Sequence, residues 1–260
     1  MNRKKLLWTL VAIVSALVLL FSLLRLWQQE KPAELPPEVP SVEPPQEEAH
    51  SKVEEEEEEA VPVVLAPEDF APTMERYPDV YAWLSLPGTR IDYPIVQRFG
   101  DDSYYVQRDL DGKHDPAGTL FTEYQYNSKS FEDPVTIIYG HHMRNGSMFG
   151  DLQSHMLEKP LGEEDQIYVY LPDTRKTYQI FAAVPFDNSH ILYYHDFQDP
   201  QVFGEFFGEI CNTRSLSANI REDLAPEVGD QVLILSTCLA GNNKNRFLVL
   251  GVLTEECSIN

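Results

Sequence analysis

Apolar and polar positions change rhythm several times along the 260 residues, and each rhythm predicts an element. Leu6 to Leu24 is a continuous run without a charged residue, and from Gln28 to Ala66 the periodic apolar signal is lost. Beyond Pro67 it returns in short segments. Met74, Tyr77, Val80, Tyr81 and Leu84 recur at three- and four-residue intervals, which predicts a helix. "LPGTRIDYPIVQ" then turns through Pro87-Gly88 into a strand, and "AGTLFTE" and "PVTIIYGHH" read as two more. "NGSMFGDLQSHM" resembles a helix start with Ser147 as N-cap. In "DQIYVYLPDTRKTYQIFAAVPF", Ile167, Val169 and Leu171 alternate with Tyr168 and Tyr170 before a Pro172-Asp173 turn, the pattern of a hairpin. Phe203, Phe206, Phe207 and Ile210 form one helical stripe, capped by Asp199 and started by Pro200. "LILSTCLAGNNKNRFLVLGVL", Leu233 to Leu253, closes the chain as two apolar strands around a polar loop. Strands predominate, so the expected fold is mainly β, a barrel or sandwich with helical additions.

Composition divides the chain into three parts. Arg3, Lys4 and Lys5 precede the apolar run, which is followed by Arg25 and Trp27. About 20 helical residues cross a hydrocarbon core, and a basic leading cluster favours a cytoplasmic N-terminus. Residues 1–27 are therefore expected to form a cytoplasmic tip and a single-pass signal anchor in the cell membrane, with the remainder extracytoplasmic. A cleaved signal peptide is the rival, but its apolar core would be shorter, roughly 7–15 residues. Residues 28–66 hold seven prolines and the run Glu54 to Glu59. Such a stretch cannot bury enough apolar surface to offset its ordering entropy, and like charges and prolines extend it. It reads as an acidic, disordered stalk. Residues 67–260 suffice for one sizeable core. The formal net charge of −22 argues against a nucleic-acid partner, which would require a basic footprint.

The three cysteines, Cys211, Cys238 and Cys257, give no paired spacing and so no disulfide framework. Cys211, behind the helical stripe, reads as a small buried hydrophobe. Cys238 follows an apolar strand and precedes a turn, which puts its thiol at a sheet rim. Alone it reads as a strand-end cysteine without a role. As a nucleophile it would need a proton acceptor or a positive environment. His141 and His142 follow "VTIIYG" at another strand end, where an imidazole can act as base and then as acid. Arg246 opens "RFLVLGVL" and could hold a developing oxyanion with its fork of donors. A metal site built from His141, His142, His114, His155 and Cys238 is the other reading. Adjacent histidines are not a usual tetrahedral spacing, however, and there is no H-x-x-x-H or C-x-x-C.

Taken together, "PDVYAWLSLPGTRIDYPIVQ", "YYVQRDLDGKHDPAGTLFTEYQYN", "VTIIYGHHMRNGSMFGDL", "LSTC" and "NRFLVLGVL" resemble a sortase, specifically a class B sortase of Gram-positive bacteria. The helical insert Asp199–Thr213 before the cysteine strand fits class B rather than class A. The resemblance implies a closed β-barrel with an N-terminal helix and a helix in that insert. It also implies a cysteine transpeptidase with His141, Cys238 and Arg246 as catalytic residues, Ser236 as a substrate contact, and no cofactor. Its expected partners are secreted proteins with LPXTG- or NPXTN-like sorting signals, cut after Thr, and an amine of a peptidoglycan precursor or a pilin subunit. Two features depart from the family pattern. His142 stands where class B sequences more often carry Asn. The eight-residue interval from Cys238 to Arg246 is short, and "LAGNNKN" lacks the acidic residues some members carry there. A purely hydrolytic extracellular cysteine peptidase and a non-enzymatic stalked adhesin or sensor domain remain as alternatives.

Overall fold

A computed structural model describes residues 66–259, and within them the side chain of residue 243 is not described. Residues 1–65 and 260, including the apolar run and nearly all of the acidic stretch, lie outside the described residues. The expected membrane placement is corrected here. No helix among the described residues is long and apolar enough to cross a membrane. The longest of them has 12 residues, about 18 Å at 1.5 Å each, against the ~30 Å of a hydrocarbon core. Single-pass anchoring and an extracytoplasmic location are therefore not supported.

The strands are β1 (Val80–Ser85), β2 (Asp92–Val96), β3 (Leu120–Phe121), β4 (Val135–Tyr139), β5 (Gln166–Tyr170), β6 (Thr174–Phe186), β7 (Asn219–Ile220), β8 (Val232–Leu239) and β9 (Asn242–Ser258). The helices are α1 (Phe70–Arg76), α2 (Leu152–Glu158), α3 (Ile191–Tyr194) and α4 (Pro200–Cys211). Among the described residues the strands form one sheet in the order β5-β1-β2-β3-β4-β8-β9-β6-β7, and β5 also pairs with β6. That extra pairing closes eight strands into a barrel and leaves β7 outside it. The expected β5–β6 hairpin is present, in antiparallel register from Gln166↔Gln179 to Tyr170↔Arg175.

Two apolar layers follow from strand alternation. Leu233 and Leu235 of β8, with Phe247 and Val249 of β9, join buried residues from every other barrel strand. They form the barrel interior, against which Leu152 and Met156 of α2 pack. Val232, Ile234, Leu248 and Leu250 point the other way and meet the α4 stripe Phe203, Phe206, Phe207 and Ile210. Each such buried phenylalanine contributes roughly 1.5–3 kcal/mol of burial. Asp199 caps α4 by accepting from the Gln201 N–H at 2.8 Å, and Pro200 opens the helix, as the sequence predicts.

Two expectations fail locally. The helix read from Met74 to Leu84 ends at Arg76, and Val80–Ser85 is β1. Tyr77 precedes Pro78 and is extended, with φ −123° and ψ 98°, because the proline ring disfavours helical backbone before it. Ser147 caps nothing. Its N–H and Oγ both donate to Asn145 Oδ1, and α2 begins five residues later, at Leu152 behind Asp151.

Candidate active site

The ends of β3, β4, β8, β9 and β6 lie side by side, and their register sets the candidate chemistry. Phe121 of β3 pairs with Tyr139 of β4, and Tyr139 with Ser236 of β8. Cys238 of β8 pairs with Arg246 of β9, and Arg246 with Phe186 of β6. Alternation puts Ser236 and Cys238 on the side of Ile234, Arg246 on that of Leu248, and Tyr139 on that of Ile137. These groups therefore face outward from the barrel wall, on the α4 side, and not into the barrel.

The short Cys238–Arg246 interval has a simple origin. The β8–β9 turn is tight, with Leu239 pairing Asn242 across Ala240 and Gly241, and the register shifts between Cys238 and Leu239. The extra residues fall on the β9 side and return Arg246 to the position opposite Cys238. Arg246 Nη1 donates to Cys238 Sγ at 3.3 Å. The hairpin tip is tied down by the Ala240 N–H, which donates to Gln153 Oε1 of α2 at 2.9 Å.

His141 reaches the same place from β4. The Gly140 N–H donates to the Ser236 carbonyl at 3.1 Å, extending the β4–β8 ladder by one residue. A Cβ on Gly140 would sit 2.7 Å from Phe149 Cδ2, so a larger residue at this exit would force the buried Phe149 and Leu120 side chains to shift. Beyond it the His141 ring holds the Val106 carbonyl at 2.7 Å through Nε2. A carbonyl oxygen can only accept, so Nε2 carries a proton and the neutral ring keeps its lone pair on Nδ1.

His141, Cys238, Arg246 and Ser236 line one cavity of about 210 Å³. Tyr139 and Phe121, stacked with centroids 5.3 Å apart, form part of its wall, and Val106 and Thr119 contribute from the β2–β3 connection. His142 does not line it. It bridges to Met148 instead, and its Nδ1 is buried without a hydrogen-bond partner. The two adjacent imidazoles are thus separated by position. Burial pushes the Tyr139 phenol well above its ordinary range, and the nearby Glu123 carboxylate acts in the same direction while Arg246 opposes it. Cys211 lies elsewhere, as the last residue of α4 packed on the outer layer, and burial raises its thiol.

The four residues named from the sequence meet at this cavity, together with Val106, Thr119, Phe121 and Tyr139, which the sequence did not single out. Tyr139 and Phe121 sit at the ends of strands the pattern identified. Their pairing with the cysteine strand required a parallel β4–β8 contact that no local signal encodes. For Val106 the one sequence mark is Gly118, whose φ is +60° and where a Cβ would lie 2.5 Å from the Val106 oxygen.

Residues 84–254 match the family model of the sortase domain. Sortase B of Listeria monocytogenes is 30% identical over 183 residues, covering 68% of this chain and 71% of that protein. Among solved structures, a Streptococcus pyogenes class B sortase involved in pilus biogenesis is 28% identical with a TM-score of 0.59, over 72% of this chain and 98% of that one. Sortase B from Bacillus anthracis, in complex with AAEK1, is 26% identical with a TM-score of 0.59, over 75% and 89%. With an outward-facing thiol, a guanidinium bonded to it and an imidazole on the same cavity, the chain belongs to the sortase family, as a class B cysteine transpeptidase.

Proposed function

We propose that this cavity cleaves a sorting-signal peptide after Thr, in an LPXTG- or NPXTN-like motif, and passes the acyl group to an amine. The observation that carries the reading is the 3.3 Å bond from Arg246 Nη1 to Cys238 Sγ within the cavity that His141 lines. A guanidinium so placed holds negative charge first on sulfur and then on the oxygen of the tetrahedral adduct. Cys238 gives its thiol proton to His141 Nδ1 and attacks the Thr carbonyl, the C–N bond breaks, and the departing amine takes that proton from Nδ1, which leaves a thioester. The acceptor amine then attacks the thioester and gives its proton to Nδ1 as the thiolate leaves. A bound amine outcompetes water through its high effective concentration. Ser236, 5% exposed on the cavity wall, is the substrate contact in this scheme. The acceptor class is an amino group of a peptidoglycan cross-bridge or a pilin lysine. Catalysis is assigned to residues 67–260, and residues 28–66 to an acidic spacer.

The test is cleavage of fluorogenic sorting peptides with and without an acceptor amine. Cys238→Ala is expected to abolish cleavage, and Arg246→Ala to lower kcat on the order of 10²–10³-fold. His141→Ala is expected to inactivate, with His142→Ala retaining most activity. Retained cleavage in Cys238→Ala overturns the assignment, and loss confined to His142→Ala reverses the choice of imidazole. Products unchanged by added amine would make the enzyme a hydrolase on these peptides.

A further inference from the structure

Glu123 lies two residues past the end of β3 and its side chain is only 14% exposed. Its Oε1 meets His190 Nε2 at 2.9 Å, and its Oε2 is buried without a hydrogen-bond partner among the described residues. Its main chain is fixed. The Glu123 carbonyl accepts from the Tyr126 and Asn127 N–H groups, and the preceding Thr122 is buried between the Tyr81 hydroxyl and the Gln97 amide. A carboxylate this withdrawn from water is costly to keep unless it serves a partner.

The partner belongs to a different part of the chain. His190 follows Phe186, the register partner of Arg246, by four residues and forms the N-cap of α3. The Tyr193 N–H donates to His190 Nδ1 at 3.1 Å. Nδ1 is therefore the acceptor nitrogen, and the proton sits on Nε2, which donates it to Glu123. The Tyr126 ring packs against the imidazole at 5.0 Å. The barrel order near the cavity is β3, β4, β8, β9, β6. The segment leaving β6 beside Arg246 is thus caught by a residue leaving β3 beyond Phe121. The bond joins the outer two of five adjacent strand ends, and the inner three carry Tyr139, Cys238 and Arg246.

We propose that Glu123 is a positioning residue for transpeptidation, a clasp that holds residues 187–194 against the wall bearing Tyr139 and Arg246 by accepting the His190 Nε2 proton. The Glu123 carboxylate also raises the Tyr139 phenol, in keeping with its place beside that wall. The proposal rests on the transpeptidase reading for its kinetic consequence alone. The clasp itself is a property of the fold.

Two measurements test it on the purified protein. Amide hydrogen exchange over residues 187–195 reports the clasp whatever the enzyme does. Glu123→Ala and His190→Ala are each expected to accelerate exchange there on the order of tenfold, the loss of about one hydrogen bond. Glu123→Gln, which keeps an acceptor oxygen, is expected to restore the slow rate. Steady-state cleavage of the sorting peptide reports the consequence. Glu123→Ala is expected to raise KM on the order of tenfold with kcat changed less than about threefold. The Glu123→Ala/His190→Ala double variant is expected to be no worse than either single one. Unchanged exchange in both single variants overturns the clasp, and so does failure of Glu123→Gln to restore it. Unchanged KM, or additive losses in the double variant, overturns the positioning role. Should Glu123→Ala not fold, His190→Ala, made at a side chain 38% exposed, carries both measurements. Failure of the transpeptidase reading is a separate event, seen as cleavage retained by Cys238→Ala with Glu123 intact.

Discussion

The His141 ring is held from outside its own strand, by the Val106 carbonyl 2.7 Å away. That bond makes the β2–β3 connection part of the site and puts weight on Gly118. Gly118 has φ +60°, and a Cβ there would lie 2.5 Å from the Val106 oxygen and 2.7 Å from the Tyr105 oxygen. Both the backbone region and the space exclude a side chain. Gly118→Ala is expected to cost about 1–3 kcal/mol of stability and to lower kcat for peptide cleavage several-fold at temperatures where the variant is folded. Chemical denaturation and steady-state kinetics check the two arms. A variant with full kcat would show that the Val106 carbonyl does not set the working orientation of the imidazole. Cys238 and Arg246 need no such outside support, because they face each other across one hairpin.

At the scale of elements, β4 shows how a strand between short neighbours is satisfied. β3 pairs with it only at Phe121↔Tyr139. Along the rest of that edge the Asn127 side chain takes the place of a strand. Its Nδ2 donates to the Val135 carbonyl at 2.8 Å, and its Oδ1 accepts from the Ile137 N–H at 3.0 Å. All of these groups are buried, and each orphaned one costs about 1–3 kcal/mol. Asn127→Ala is accordingly expected to destabilise by about 2–4 kcal/mol, read by urea unfolding, and to speed exchange of the Ile137 amide. A loss under 1 kcal/mol would mean that water reaches this edge. The same element explains why the sequence was only partly legible. β5–β6 alternates cleanly, and the α4 stripe carries its own cap, so both were readable from local pattern. β1 was not, because its residues are buried on both faces, Ala82 and Leu84 in the interior and Val80 and Trp83 against α1. A doubly buried strand has no period of two, and its spacing imitates a helix. The candidate site was legible where it lies at strand ends, since His141, Ser236, Cys238 and Arg246, all named from the sequence, line one cavity. It was illegible on the connections, where Val106 and Glu123 owe their roles to pairings distant in sequence.

For the whole molecule, charge governs the response to acid. Hydrogen bonds from Tyr77 to Asp111, from Lys159 to Glu164, from the Ser189 side chain and N–H to Asp187, and from Arg221 to Asp223 each hold the carboxyl below its ordinary range. A carboxyl whose folded value is depressed stabilises the fold above the unfolded value, and this stability is lost as pH falls through the folded value. Tm is therefore expected to hold between about pH 8 and pH 5 and to drop below about pH 4, as followed by thermal melts in matched ionic strength. A Tm that rises steadily down to pH 3 would mean that relief of repulsion in this acidic chain outweighs the lost bonds.

The hairpin that pairs Cys238 with Arg246 also orders events in time. These two residues are eight apart in sequence, whereas His141 joins them only through the parallel β4–β8 contact, about a hundred residues away. Closing the longer loop costs about 2 kcal/mol more in chain entropy, and such non-local pairings form late. In refolding of the whole chain, the Cys238–Arg246 pairing is therefore expected to form before His141 joins it. Under the mechanism proposed above, acyl-transfer competence would then wait for the β4–β8 pairing, and a partly folded molecule would carry the thiol without His141 beside it.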